Sequence, residues 1–177
     1  MRTLVLVGVV TLTAAGAVRG QEQSGAPSPA HQRLDYFVGT WNGVGEQMPH
    51  SPGGAAEKFV GTMSCTRFAG GFHVVCSLEG TMGAKEFREM ATFGYDGEEK
   101  AYTWYDIDNT GMNGLGRGSL ERGTWTYLFE MKAGGQPVRL KVVLAEQSPT
   151  TFLNTAELSV NGKPWEPVVK ATFNRTK

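Results

Sequence analysis

The strongest constraint on this chain is the regular return of turn residues between short segments of alternating polarity. Glu57–Phe68 and Phe72–Thr81 lie on either side of Gly70-Gly71, a hairpin signal. Lys85–Tyr95 and Lys100–Asp106 flank Asp96-Gly97-Glu98-Glu99, and Met112–Leu120 and Thr124–Met131 flank Glu121-Arg122-Gly123. Gln136–Glu146 follows Ala133-Gly134-Gly135. Thr151–Val160 and Lys163–Arg175 flank Asn161-Gly162, which suits a type I′ turn. Strands at this spacing, joined by hairpin-length loops, predict an all-β domain.

The start of the domain differs. Ser28 can cap a helix and Pro29 suits its first position. Leu34, Phe37 and Val38 fall at helical spacing, so a short helix can lay one apolar face on the rest. Gly39 ends it. Trp41, Gly43, Gly45 and Gln47 then alternate with Thr40, Asn42, Val44 and Glu46, a strand period that brings the total to about ten strands. Ten sequential strands in about 140 residues, in a chain with 24 glycines, suit an up-and-down antiparallel β-barrel with a short N-terminal capping helix. Closure removes the exposed edges that would aggregate. A two-sheet sandwich is the competing architecture.

Arg2 precedes an apolar, uncharged run, Thr3–Val18, which turns to small residues near its end at Ala14–Ala17. This is the pattern of a secretory signal peptide over residues 1–20, cut after Ala17 or Gly20. The run is shorter than the roughly 20 residues that span a bilayer. No Cys lies near the cut to carry a lipid anchor. Residues 21–30, rich in Gln, Ser, Gly and Pro, read as a disordered leader, which leaves 31–177 as one barrel domain. Removing residues 1–20 takes away two arginines and leaves a net charge of −2, so nothing attracts nucleic acid or an anionic membrane. The expected location is periplasmic or secreted. In such a compartment Cys65 and Cys76 form a disulfide, because pairing around Gly70-Gly71 sets them opposite each other. A four-residue loop, Ala69–Phe72, makes that pair a non-hydrogen-bonded one, with the closer spacing a cross-strand bridge needs. A redox-active pair would want Cys-x-x-Cys spacing, which is absent.

Leu34-x-x-Phe37-x-Gly39-Thr40-Trp41-x-Gly43, Gly70-Gly71-x-x-x-Val75, Gly94-Tyr95-Asp96 and Trp104-x-Asp106 together resemble a family of bacterial exported proteins of unknown function. That family is similar to the calycins: lipocalins, fatty-acid-binding proteins and nitrobindins. The resemblance covers most of 31–177 and implies a barrel closed at one end by the helix and Trp41, with no established activity. It also implies that a basic residue of the last strand, here Arg175, packs across Trp41 as a cation–π pair, on the face of Trp165, Val169, Ala171 and Phe173. Nitrobindin-like barrels hold haem on a histidine near the C-terminus. The histidines here are His31, His50 and His73, so that ligand is missing and no cofactor is expected.

A four-residue loop over Asp96–Glu99 sets Phe93 opposite Tyr102, Ala91 opposite Trp104 and Glu89 opposite Asp106. The large aromatics make this the inward face. Two carboxylates facing each other inside a barrel would repel, and one would keep its proton near neutral pH. Glu89 and Asp106 are thus candidate ligand contacts, or a candidate catalytic acid–base couple. The competing reading makes them solvated rim residues, or partners of Arg88 or Arg117. Asp106–Gly111 begins like a calcium loop, but its twelfth position is Arg117, so no metal is expected. Gly111–Gly118 lacks the Lys-Ser/Thr of a phosphate loop. Gly114, Gly116 and Gly118 alternate on one strand face, which suggests tight curvature or room for a ligand or a facing ring. Trp125, Tyr127, Phe129 and Met131 alternate, as do Val138, Leu140, Val142 and Leu144; both rows read as core. The expected role is binding of a small apolar or amphipathic ligand by Trp41, Tyr102, Trp104, Trp125 and Arg175, with Glu89 and Asp106 as polar contacts. The alternatives are a small proton-transfer enzyme and a filled-barrel module for an envelope partner.

Overall fold

The computed structural model describes residues 25–49 and 54–176. The expected signal peptide and its cut, the first part of the expected leader, His50, residues 51–53 and Lys177 lie outside the described residues. Ser28 is the N-cap of α1 (Pro29–Arg33), and its backbone N–H donates to Nδ1 of His31 at 3.2 Å. The helix takes in Pro29 and Ala30, which the sequence reading assigned to the leader. Contact holds them in place, since Ala30 packs on the core and its carbonyl accepts the Tyr102 hydroxyl at 3.2 Å. A 3-10 turn, Leu34–Phe37, carries the apolar face inward, with Leu34 and Phe37 fully buried. Gly39, at a φ of 124°, lets the chain swing directly into β1.

Ten antiparallel strands follow: β1 (Gly39–Gln47), β2 (Glu57–Arg67), β3 (Val74–Met82), β4 (Lys85–Asp96), β5 (Ala101–Asp108), β6 (Asn113–Glu121), β7 (Thr124–Ala133), β8 (Gln136–Ser148), β9 (Thr151–Val160) and β10 (Glu166–Arg175). Each pairs with its sequence neighbour, and β1 pairs with β10 from Trp41↔Arg175 to Gln47↔Val169. The sheet therefore closes on itself, which excludes the sandwich. Among the described residues no helix is long and apolar enough to cross a membrane.

Cys65 and Cys76 are register partners and are bridged, with Cα atoms 4.0 Å apart. The Phe68 N–H donates to the His73 carbonyl at 2.9 Å, so the loop is Ala69–Phe72 and the cysteines hold the close, non-hydrogen-bonded spacing.

Two expectations of register need correction. The β4–β5 loop is Gly97–Lys100, one residue further on than Asp96–Glu99, because Asp96 pairs with Ala101. The Asp96 carboxylate accepts the N–H groups of Glu98 (2.9 Å) and Glu99 (3.0 Å), and Lys100 takes a left-handed φ of 53°. This side-chain turn moves every pair by two residues: Phe93 faces Trp104, Ala91 faces Asp106, and Glu89 faces Asp108. The inward face is unchanged because the shift is even. Near the C-terminus, β10 begins at Glu166 rather than Lys163, and its pairing with β9 shifts between Pro167 and Val169. Proline has no N–H for the ladder, so the strand bulges there. The bulge takes Trp165 off the inward face of Arg175. It lies against the outer face, under the Arg139 guanidinium at 5.3 Å and the Lys141 ammonium at 5.0 Å.

Candidate functional site

The barrel has a sealed end and an open end. At the sealed end Phe37, Trp41 and Trp125 are completely buried. Their polar atoms are used within the plug: Trp41 Nε1 donates to the Phe37 carbonyl and Trp125 Nε1 to Glu146 Oε1, both at 2.8 Å. Arg33 pairs with Glu146 at 2.7 Å and lies 5.8 Å from the Trp125 ring centre. Arg175 stacks on Trp41 at 4.2 Å, and its guanidinium donates to the carbonyls of Val38 and, at 2.7 Å, Tyr36. The pair implied by the resemblance is present, and it locks the 3-10 turn onto the barrel. Partial burial, and then the nearby Glu146 charge, push the pKa of the Tyr36 hydroxyl up to about 12.

Beyond this plug lies a cavity of about 60 Å³. Phe37 and Phe93 border it on the plug side, and Met63, Leu144, Phe152 and Phe173 supply apolar wall. Three polar residues line it: Glu89, Trp104 and Asn154. Trp104 Nε1 and Asn154 Oδ1 are buried without a hydrogen-bond partner, as is the nearby Tyr127 hydroxyl. Leaving such a group unpaired costs about 1–3 kcal/mol. The volume suits about two waters or the end of a larger molecule. The rest of such a molecule has room at the open end, where the inward side chains Leu78, Met82, Phe87, Met131, Leu140 and Val169 are only half-buried.

The carboxylates expected to face each other do not. Asp106 is diagonal to Glu89 on the same inward face, and Asp108 stands opposite Glu89. Burial, then Asp106, then Asp108 push the Glu89 carboxyl up to about 8. Burial, then Asp108, raise Asp106 to about 6, against the pull of its own backbone N–H. Arg88 and Arg117 do not reach them: Arg88 lies 3.6 Å from Glu86, and Arg117 pairs with Glu99 and, at 3.9 Å, Asp96. Among the described residues no three or more His, Cys, Asp or Glu side chains are grouped to hold a metal ion.

Of the side chains expected to contact a ligand, Glu89 and Trp104 line the cavity. Trp41, Tyr102, Trp125 and Arg175 belong to the plug, and Asp106 sits just outside the lining. The glycines of β6 make room for a ring, since a Cβ on Gly116 would stand 2.6 Å from Phe129. Asn154 was missed. Its signal was the inward row Phe152, Asn154, Ala156, in which one polar residue interrupts apolar neighbours.

A family model described as "Protein of unknown function (DUF1579)" matches residues 26–175. No curated protein matches the chain. Among solved structures, the crystal structure of Rv2717c from M. tuberculosis is similar at a TM-score of 0.59 and 11% identity, over 85% of this chain and 99% of that one. An S-type phycobiliprotein lyase, CPES from Guillardia theta, is similar at 0.56 and 12% identity, over 84% of this chain and 93% of that one. At such identities the likeness is one of fold.

Proposed function

We propose that this chain, which belongs to the DUF1579 family of proteins of unknown function, binds a small amphipathic molecule inside its barrel through the end away from the helix. One observation carries the reading: Trp104 and Asn154 bring polar atoms without a hydrogen-bond partner, and Glu89 a carboxyl without a cationic partner among the described residues, to the wall of one otherwise apolar cavity. A barrel that only had to be filled would place apolar atoms there, since each orphaned group costs stability. The likeness to a phycobiliprotein lyase supports the architecture; the ligand reading rests on the site.

Native mass spectrometry of protein purified from its own host tests this. A co-purifying mass is expected in the parent. It should be lost in Ala91→Leu, which fills the cavity from its wall, while the circular dichroism stays that of the parent. A parent without any adduct, or an adduct that survives in Ala91→Leu, would overturn the reading. Export is part of the same proposal, supported by the Thr3–Val18 run and by the Cys65–Cys76 bridge. N-terminal sequencing of the recovered protein should find Val18 or Gln21 first; Met1 would refute export.

A further inference from the structure

The interior of the open half carries charge of one sign. Glu89, Asp106 and Asp108 all lie on the inward face of β4 and β5. Asp108 is spent on its own turn, accepting the N–H groups of Thr110 (2.8 Å) and Met112 (3.0 Å). Glu89 and Asp106 have no cationic partner among the described residues. The basic residues nearby are committed or remote. Arg88 points outward beside Glu86, and Lys85 shares the Glu89 face but sits exposed at the rim. Arg33 and Arg175 are held in the plug at the far end. Leu78 of the neighbouring β3 and Asn154 of β9, across the barrel, border the same cavity, and neither titrates.

This arrangement is matched to a positive ligand and opposed to a negative one. An ammonium beside Glu89 would meet a carboxylate and the unpartnered Asn154 oxygen, both of which attract a cation where little water enters. A carboxylate would meet the Asp106 charge nearby and no cation among the described residues to balance it. The cavity has the size of such a head and no more, and the half-buried apolar mouth suits a tail. Resting on the ligand-binding reading above, we infer that the barrel selects a cationic amphiphile: an amine whose ammonium enters beside Glu89 and Asn154 with its apolar tail along the mouth. In the empty barrel Glu89 keeps its proton up to about pH 8. The incoming ammonium takes that proton's place, and the proton leaves to solvent.

Calorimetry with the chain as purified, at pH 7 and low salt, tests the inference with hexylamine, 1-hexanol and hexanoate. Hexylamine should bind about tenfold more tightly than hexanol, with hexanoate weakest. Repeating the hexylamine titration in buffers of different ionisation enthalpy should show close to one proton released per site. In Glu89→Gln the preference for amine over alcohol should fall to about twofold and the proton release should vanish. Should that variant not fold, Asp106→Asn should lower the same preference in smaller degree. Hexanoate binding as well as hexylamine, or a preference unchanged in the variant, would overturn the choice of charge while leaving small-molecule binding intact. No heat from any of the three, together with no co-purifying mass, would remove both.

Discussion

A carboxyl that keeps its proton near neutral pH makes stability depend on pH with a definite sign. Glu89 titrates near 8 and Asp106 near 6 in the folded chain, both above their ordinary values of 4.5 and 3.8. The folded state therefore binds more protons than the unfolded one. Their contribution is fully present below about pH 4, is lost as pH rises through 6 and 8, and is flat above. Urea unfolding should show the parent weakening across that window. Glu89→Gln, which keeps the shape without the charge, should be more stable than the parent by about 2 kcal/mol above pH 8. Parallel curves for the two from pH 4 to 9 would mean a solvated Glu89. A second residue-scale effect concerns space rather than charge. Gly116→Ala would set a Cβ 2.6 Å from the Phe129 ring, which is packed on Trp104 at 5.5 Å and has little freedom to retreat. The expected loss is about 1–3 kcal/mol, read from the urea midpoint. The spacing of Gly114, Gly116 and Gly118 already suggested a facing ring; that the ring is Phe129 follows from the β6–β7 register.

The helical segment is too short to be stable alone and is held by what it touches. Arg175 does much of this, with its guanidinium over the Trp41 ring and donated hydrogen bonds to the Tyr36 and Val38 carbonyls. Arg175→Ala should cost about 2–3 kcal/mol, and Arg175→Lys should recover only part, because an ammonium cannot fork to two carbonyls while stacking. Trp41→Ala, which empties the plug, should cost about 3–5 kcal/mol. The β2–β3 hairpin is held covalently. Unreduced protein should show no titratable thiol after denaturation, and Cys65→Ser with Cys76→Ser should cost about 2–3 kcal/mol, the value for a short closed loop. The strand–turn–strand pattern showed this hairpin with its loop length, because Gly70-Gly71 sits midway between the cysteines. The β4–β5 hairpin was placed one residue off in its loop. Its turn depends on the Asp96 side chain capping two N–H groups, and nothing in the alternation of β4 and β5 distinguishes two registers that keep the same inward face.

Over the whole molecule, packing is uneven along the barrel axis. The rings run continuously from the plug into the cavity wall, with Phe37 stacked on Phe93 at 5.0 Å and Phe152 on Phe173 at 4.8 Å, while the mouth keeps its apolar side chains half in solvent. Amide hydrogen exchange should follow this gradient: slowest around Trp41, Phe93 and Trp125, and fastest in the strands at the mouth around the Pro167 bulge. Uniform protection from end to end would contradict an open mouth. Local alternation and turn chemistry by themselves determined ten antiparallel strands, a short leading helix, the bridged hairpin and, Trp165 beyond the β10 bulge excepted, which side chains face inward. These depend on neighbours two to four residues apart, and a period of two leaves little choice once one face must be buried. Only the tertiary structure decided which inward residues seal the barrel and which line its cavity. Trp41, Trp125 and Trp104 look alike in the sequence, yet two have their N–H groups used inside the plug and the third is left without a partner. That division depends on where ten strands meet in space, and so on register, bulges and the axial position of each ring, which no local period encodes.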